Sequence, residues 1–195
     1  MLHRAISFSL ALPLSLSALS CSDPPPTPAA GGVVVKLSPP SATVSQGRGC
    51  NAGTSGAFTY MIGQPNPGKT IEDGTKGVTV SCTIKANGDF DASIKGTDSN
   101  GKKPVSFSFT GTMTDQTTPA NNSSAMTFFS PDTSHLYTLA GFPMCTVGPV
   151  VTYKAGAMLT DIDCPLIGSP DDSVSGCEVH GTIAFEYCKT GEEQN

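Results

Sequence analysis

The sequence predicts an all-β domain, either an antiparallel β-sandwich or a jelly roll of about eight strands, stapled by disulfides. Short runs of alternating apolar and polar residues are separated by clusters of glycine, proline and asparagine, as expected for strands joined by turns. No stretch of ten or more residues shows a helical repeat of apolar positions. The chain also has 21 Gly, 16 Pro and 7 Cys, with only 14% charged residues, which is typical of exported β-domains.

The first twenty residues have the pattern of a secretory signal peptide. Arg4 supplies a positive charge, residues 5–16 are uncharged and largely apolar, and small residues lead up to position 20. A membrane-spanning helix is disfavoured because the uncharged run is short, contains Pro13 and is followed by a proline cluster. We therefore expect residues 1–20 to be removed during export.

The segment "SALSC" at residues 17–21 resembles the lipobox of bacterial lipoproteins, with Leu19, Ser20 and Cys21 at the −2, −1 and +1 positions. The resemblance implies that the Cys21 thiol receives a diacylglyceryl group, that cleavage falls before Cys21 and that the new amine is acylated. Ser22, directly after the modified cysteine, implies sorting to the outer membrane. The alternative, plain secretion, would leave a reactive thiol at Cys21 that could exchange with the disulfides of the domain. Lipidation removes this thiol and anchors the protein in a membrane, because each buried methylene of the acyl chains contributes about 0.8 kcal/mol.

Residues 21–32 are expected to form a linker that begins with the lipidated cysteine. Their prolines favour extended polyproline II at about 3.1 Å per residue, long enough to hold the domain up to about 30 Å from a membrane. The β-domain is then expected over residues 33–195. Removing Arg4 from the 11 basic residues leaves ten against 16 acidic ones, a formal net charge of −6. This balance disfavours binding to nucleic acid or to anionic lipid surfaces.

The clearest pair of strands is a hairpin around residues 78–94. Pairing Ile84 with Phe90 keeps the apolar side chains on one face and requires a three-residue loop, residues 86–88. In that loop Gly88 would take the left-handed position of a type I turn followed by a G1 bulge. The same register places Cys82 opposite Ala92.

Further strands are predicted at residues 57–62, 105–113, 125–129, 135–140, 149–154, 157–164 and 177–188. Strict alternation in the run at 105–113 turns four side chains inward: Val105, Phe107, Phe109 and Met113. A second inner face is expected from Met158, Thr160, Ile162 and Cys164. The last strand is expected to turn inward Val179, Ile183, Phe185 and Tyr187.

Six cysteines remain when Cys21 is set aside, and export predicts that they form three disulfides: Cys50, Cys82, Cys145, Cys164, Cys177 and Cys188. Structural zinc is disfavoured because closely spaced cysteine pairs are missing from the sequence. Six cysteines can pair in fifteen ways.

One pairing can be excluded and one preferred. Cys177 and Cys188 would bracket a continuous strand and lie about 35 Å apart, far beyond disulfide reach. A Cys164–Cys177 bridge would staple the base of the hairpin between the last two strands, so it is the favoured pair. The remaining four cysteines would then form the weakly preferred pairs Cys50–Cys82 and Cys145–Cys188.

Few residues suggest catalysis. His180 alternates to the polar face of its strand, His135 lies in a turn, and no G-x-S-x-G nucleophile elbow is present. Glu178 and Glu186 share a strand face but are eight residues apart, too far for a glycosidase pair. We expect no enzyme activity, no catalytic residues and no cofactor.

A calcium site is the one metal hypothesis that the sequence raises. Its ligands would be the carboxylates of Asp161, Asp163, Asp171 and Asp172. A solvated acidic loop is the preferred interpretation of these residues, because no EF-hand or nonapeptide repeat accompanies them.

Two function classes remain. The first is a lipid-anchored, non-catalytic surface protein of the cell envelope, whose β-domain recognises another envelope protein or has a structural role. The second is a carbohydrate-binding module, which usually presents exposed aromatic rings. The chain has no Trp and 4 Tyr, which weakens that alternative without removing it.

Overall fold

The computed structural model describes residues 25–41, 43, 49–50, 57–99, 103–113, 123–129, 136–138, 145–170 and 175–191. These residues form eleven strands and a short 3-10 turn at Thr75–Gly77, without an α-helix. The strands are β1 (Ala30–Ser38), β2 (Phe58–Ile62), β3 (Ile71–Glu72), β4 (Thr79–Ile84), β5 (Asp89–Thr97), β6 (Pro104–Thr112), β7 (Ser123–Phe129), β8 (Leu136–Thr138), β9 (Cys145–Lys154), β10 (Ala157–Gly168) and β11 (Gly176–Glu186). None of the described segments is a helix long and apolar enough to span a bilayer.

All strands belong to one antiparallel sheet with the order β2-β1-β11-β10-β8-β7-β6-β5-β4. β3 pairs with β1, and β9 pairs with both β10 and β7. The sheet folds over on itself, because Tyr60 in β2 and Phe128 in β7 have ring centroids only 4.9 Å apart although four strands separate them in the sheet order. Phe109 and Phe185 meet across the same interior at 6.4 Å. The predicted all-β sandwich class is confirmed.

The predicted hairpin is confirmed in its register and its turn. Ile84 pairs with Phe90, and Cys82 pairs with Ala92. Gly88 has a φ of 102° and donates its N–H to the carbonyl of Lys85, closing the turn at 3.2 Å. A side chain at Gly88 would be strained by this positive φ and would also meet the carbonyl oxygen of Met113 at 2.4 Å.

The predicted inner faces are correct apart from one residue. All four inward residues of β6 and its end are buried, and so are Met158, Thr160, Ile162 and Cys164 in β10. Tyr187 is the exception: it is 60% exposed, because β11 ends at Glu186 and the next residue has a φ of 56°. The left-handed backbone breaks the alternation and turns the ring outward.

The expected boundary between linker and domain is wrong by three residues. Residues 30–32 belong to β1, where Ala30 pairs with Glu186 and Gly32 pairs with Ala184. The sequence does not predict β1, because the continuous apolar run of residues 33–35 lacks the alternation of a half-buried strand. It does not predict β3 either, because two residues are too few to show a pattern. β1 lies between β2 and β11 in the sheet, where the inner face is fully buried.

All six cysteines of the β-domain are disulfide-bonded, in the pairs Cys50–Cys177, Cys82–Cys188 and Cys145–Cys164. The excluded pair, Cys177–Cys188, does not form. Three disulfides indicate an oxidising, extracytoplasmic environment.

The three preferred pairings are wrong, and the favoured one fails for a reason of register. β10 does not end at Cys164 but continues to Gly168, so the hairpin closes later than expected. Cys164 pairs with Val179, whereas Cys177 pairs with Ile167 beyond a β-bulge. Cys164 instead bonds to Cys145 on the neighbouring strand β9. Cys50–Cys82 and Cys145–Cys188 fail because Cys82 and Cys188 are bonded to each other.

The segment that follows β11 closes the free edge of β4. Lys189 donates its N–H to the carbonyl of Cys82 at 3.1 Å and accepts the N–H of Ile84 at 2.8 Å. Cys188 donates to the carbonyl of Gly156 in the β9–β10 turn at 2.9 Å. The end of β11 is therefore held on both sides, by β4 and by the β9–β10 turn.

Candidate functional site

Polar side chains converge on the outer face of the sheet, at the middle of β10 and β11. Asp163 lies directly opposite His180 in the antiparallel pairing, and Glu178 is two residues before His180 on the same face. The imidazole lies between the two carboxylates: Nε2 is 2.7 Å from Oε1 of Glu178, and Nδ1 is 3.4 Å from Oδ1 of Asp163. We call these three residues the acid–histidine cluster.

The surroundings of the acid–histidine cluster are open and mostly polar. The side chains of His180, Asp163 and Glu178 are 49%, 51% and 27% exposed. A shallow recess of about 410 Å³ next to the cluster is also lined by Lys36 from β1 and by Asp161. Asp161 accepts a 2.6 Å hydrogen bond from the Thr182 hydroxyl, which fixes its carboxylate on the sheet surface.

A second feature, farther along the same two strands, is a groove of about 550 Å³. Its lining includes Leu159 and Ala184, which pair with each other across β10 and β11 and are both buried. Tyr187, Lys154 and Pro67 also line the groove. We call it the Tyr187 groove, since this tyrosine contributes its large exposed aromatic ring.

The loop after β2 is held against this face by Glu186. Its Oε2 accepts a 2.5 Å hydrogen bond from the Thr70 hydroxyl and a 3.3 Å bond from the N–H of Gly68. The same loop passes so close to β1 that a Cβ at Gly32 would lie 2.2 Å from the carbonyl oxygen of Gln64. Glu186 therefore positions the loop after β2. The side chain of the next residue, Tyr187, points into solvent.

Tyr187 is held in an unfavourable backbone conformation by the residues on either side of it. A left-handed φ costs a bulky residue of order 1 kcal/mol and is uncommon outside glycine and asparagine. The chain tolerates it because β11 ends at Glu186 and Cys188 is tied to Cys82 by the disulfide. The result is an exposed aromatic ring at the rim of a groove whose lining includes the buried Leu159 and Ala184.

Tyr153 in β9 is the one titrating group whose pKa is clearly shifted in the described part of the chain. Burial raises the pKa of this phenol above its ordinary value of 10.0, the negative charge of Asp89 raises it further, and a hydrogen bond from the backbone of Gly88 partly offsets both. Its hydroxyl donates to the carbonyl of Lys85. This bond ties the β9–β10 hairpin to the β4–β5 turn, so the role of Tyr153 is structural.

The residues singled out from the sequence meet different outcomes. His180 faces solvent as expected, and Asp161 and Asp163 lie on the outer face of β10. The remaining candidates fall outside the described residues: Cys21, His135, Asp171 and Asp172. The full calcium ligand set therefore stays a hypothesis.

Sequence reasoning missed both features of this face. The alternation of β11 already places Glu178 and His180 side by side, but the proximity of Asp163 depends on the pairing register between β10 and β11. The outward turn of Tyr187 has no local signal, because a non-glycine residue at positive φ is fixed by its surroundings.

Comparisons with known proteins add nothing to this geometry: no protein family model, no curated protein and no solved structure matches the chain.

Proposed function

We propose that this protein is an exported bacterial lipoprotein whose β-sandwich recognises a component of the cell envelope without catalysing a reaction. The lipid on Cys21 would anchor it, most simply in the outer membrane, and the proline-rich segment would hold the domain above the lipid surface. Nine residues, 21–29, precede β1, and polyproline II geometry gives them a reach of about 28 Å.

The disulfide pattern supports the anchoring part of this proposal. The other six cysteines bond to one another, so Cys21 is the odd cysteine of an exported chain. The lipobox resemblance implies that this thiol is converted to a thioether by the attached lipid. A thioether takes no part in disulfide exchange. Together they favour lipidation over plain secretion.

The observation that carries the recognition part is the conformation of Tyr187. Unfavourable backbone geometry persists where the surrounding structure enforces it, and such residues concentrate at functional sites. Here it displays a 60%-exposed ring beside a groove whose floor includes buried Leu159 and Ala184. An exposed aromatic ring beside buried apolar side chains is a common basis of binding sites.

The test compares binding by two variants that each remove one exposed aromatic ring. Tyr187→Ala removes the ring at the groove, and Phe129→Ala removes a 42%-exposed ring from β7, outside the groove lining. Envelope proteins and glycans captured by the mature domain should be lost with Tyr187→Ala and retained with Phe129→Ala. Equal capture by both variants would show that the groove is not the recognition site.

Carbohydrate binding is the second candidate, and the exposed ring of Tyr187 is the observation that favours it. Pyranose rings stack on aromatic side chains, and the groove rim also offers Thr152, Thr190 and Lys154 for hydrogen bonds to hydroxyl groups. A glycan array probed with the mature domain separates this candidate from protein recognition. Binding to a defined glycan that depends on Tyr187 supports the carbohydrate role, whereas an empty array with retained protein capture supports the first candidate.

The proposed absence of catalysis can be tested directly on the mature domain. The acid–histidine cluster lies exposed at a shallow recess and not in the enclosed cleft in which enzymes assemble such groups around a substrate. We expect no hydrolase activity from the mature domain. Turnover abolished by a single substitution at His135, His180 or Glu186 would contradict this.

A further inference from the structure

The acid–histidine cluster is assembled by regular sheet geometry and not by a loop. Asp163 and His180 are directly paired residues of two neighbouring strands, and Glu178 follows the two-residue period of the same face. β10 and β11 lie in the interior of the sheet order, each with partners on both sides. The three Cα positions are therefore fixed, and only the side chains need to move to change the donor geometry.

The donors of the cluster are chemically mixed. One imidazole nitrogen and two carboxylate oxygens suit Zn²⁺, Cu²⁺ or Ni²⁺, whereas Ca²⁺ takes six to eight oxygen ligands. The inclusion of an imidazole is what separates this cluster from the many acidic patches that only face water. It also differs from the calcium hypothesis, which relied on aspartates alone.

The distances between the donors are close to those of a metal site. One donor atom from each of the three side chains lies within 4.8 Å of the other two. A tetrahedral zinc ion with bonds of about 2.1 Å requires donors about 3.4 Å apart, so donor-to-donor distances must shorten by up to about 1.4 Å. All three side chains are at least partly exposed, so rotation about their side-chain bonds can supply these shifts.

We propose that Asp163, Glu178 and His180 bind a divalent transition-metal ion such as Zn²⁺ on the outer face of β10 and β11. One nitrogen of His180 and one oxygen from each carboxylate are the protein ligands, and water completes the coordination. Two carboxylates against one nearby ammonium, that of Lys36, leave the site electrostatically favourable for a dication. This inference does not depend on the proposed recognition role of the Tyr187 groove.

The experiment measures Zn²⁺ binding to the full mature chain, prepared without a histidine tag and stripped with EDTA. Isothermal titration should show one Zn²⁺ per chain. His180→Ala, Glu178→Gln and Asp163→Asn should each weaken binding at least tenfold, since even loss of an outer contact costs a metal site about 10- to 100-fold. Ca²⁺ in about tenfold excess should not displace the ion, because an imidazole-containing site favours transition metals.

Two matched controls locate the site. His135→Ala removes the other histidine of the mature chain, and Asp91→Asn neutralises an exposed carboxylate on β5; both should bind Zn²⁺ as the unmodified chain does. Thermal melting of each variant confirms folding, and in the unmodified chain the imidazole NMR signals of His180 should shift on Zn²⁺ addition. Absence of Zn²⁺ binding, full binding by His180→Ala, loss of binding by His135→Ala, or displacement by Ca²⁺ would each overturn the proposal.

Discussion

Removal of the Cys82–Cys188 disulfide should be among the most damaging changes that leave the strands themselves intact. This bridge ties the edge strand β4 to the segment after β11 and so helps to close the sandwich. Replacing both cysteines by alanine removes the cross-link without leaving a free thiol. We expect the variant to fold but with a markedly lower free energy of unfolding.

The magnitude follows from the loop that the bridge closes in the unfolded chain. The two cysteines are 106 residues apart in sequence, but the intact Cys50–Cys177 bridge provides a shorter path. That path runs from Cys82 back to Cys50 and from Cys177 on to Cys188, roughly 43 residues, for which the chain-entropy relation gives about 4 kcal/mol. In a protein of this size such a loss lowers the melting temperature by roughly 8 to 16 °C.

The assay is denaturant and thermal unfolding of the oxidised protein, with Cys145→Ala/Cys164→Ala as the comparison. That pair is only 19 residues apart, and the same relation predicts a smaller loss of about 3 kcal/mol. Removing Cys82–Cys188 should also increase the denaturant m-value, since the unfolded chain becomes more expanded. A melting temperature lowered by less than about 4 °C with an unchanged m-value would refute the loop-closure argument.

Three further expectations can be checked independently. Cys21→Ser should block maturation and leave the precursor uncleaved, whereas the native protein should carry acyl chains by intact mass; a mature mass equal to the bare polypeptide from Cys21 would disprove lipidation. Gly111→Ala should lower the free energy of unfolding, measured by chemical denaturation, by about 3 kcal/mol or more, because the new Cβ would lie 2.2 Å from the carbonyl oxygen of Ser123. Gly49→Ala is the control: this glycine has open space around it, so the free energy of unfolding should change little. Glu186→Ala should lower the free energy of unfolding by about 1 to 2 kcal/mol and make residues 63–70 more sensitive to protease, since two hydrogen bonds to the carboxylate are lost. Unchanged proteolysis would mean that other contacts hold this loop.

The sequence by itself determined the class of the fold and much of its local structure. Alternation with a period of two is a property of single strands, so the inner faces of β6 and β10 could be assigned without knowing their neighbours. The β4–β5 register followed from two local requirements, matching apolar faces and a glycine at the left-handed turn position. The signal-peptide pattern predicted that the six cysteines form disulfides, because exported proteins enter an oxidising compartment.

Only the tertiary structure decided which distant residues meet. The disulfide pairs depend on where β10 ends, on its bulge and on the folding of the sheet onto itself, none of which is encoded within a few residues. The acid–histidine cluster depends in the same way on the β10–β11 register. Tyr187 is the clearest case: alternation alone turns it inward, and its outward ring results from the end of β11 and the anchoring of Cys188 to Cys82. At Tyr187 the preference of a strand for alternating side chains is overridden by the disulfide to Cys82, which lies more than a hundred residues away in the sequence. This is possible because the backbone strain of one residue costs less free energy than the disulfide contributes to stability.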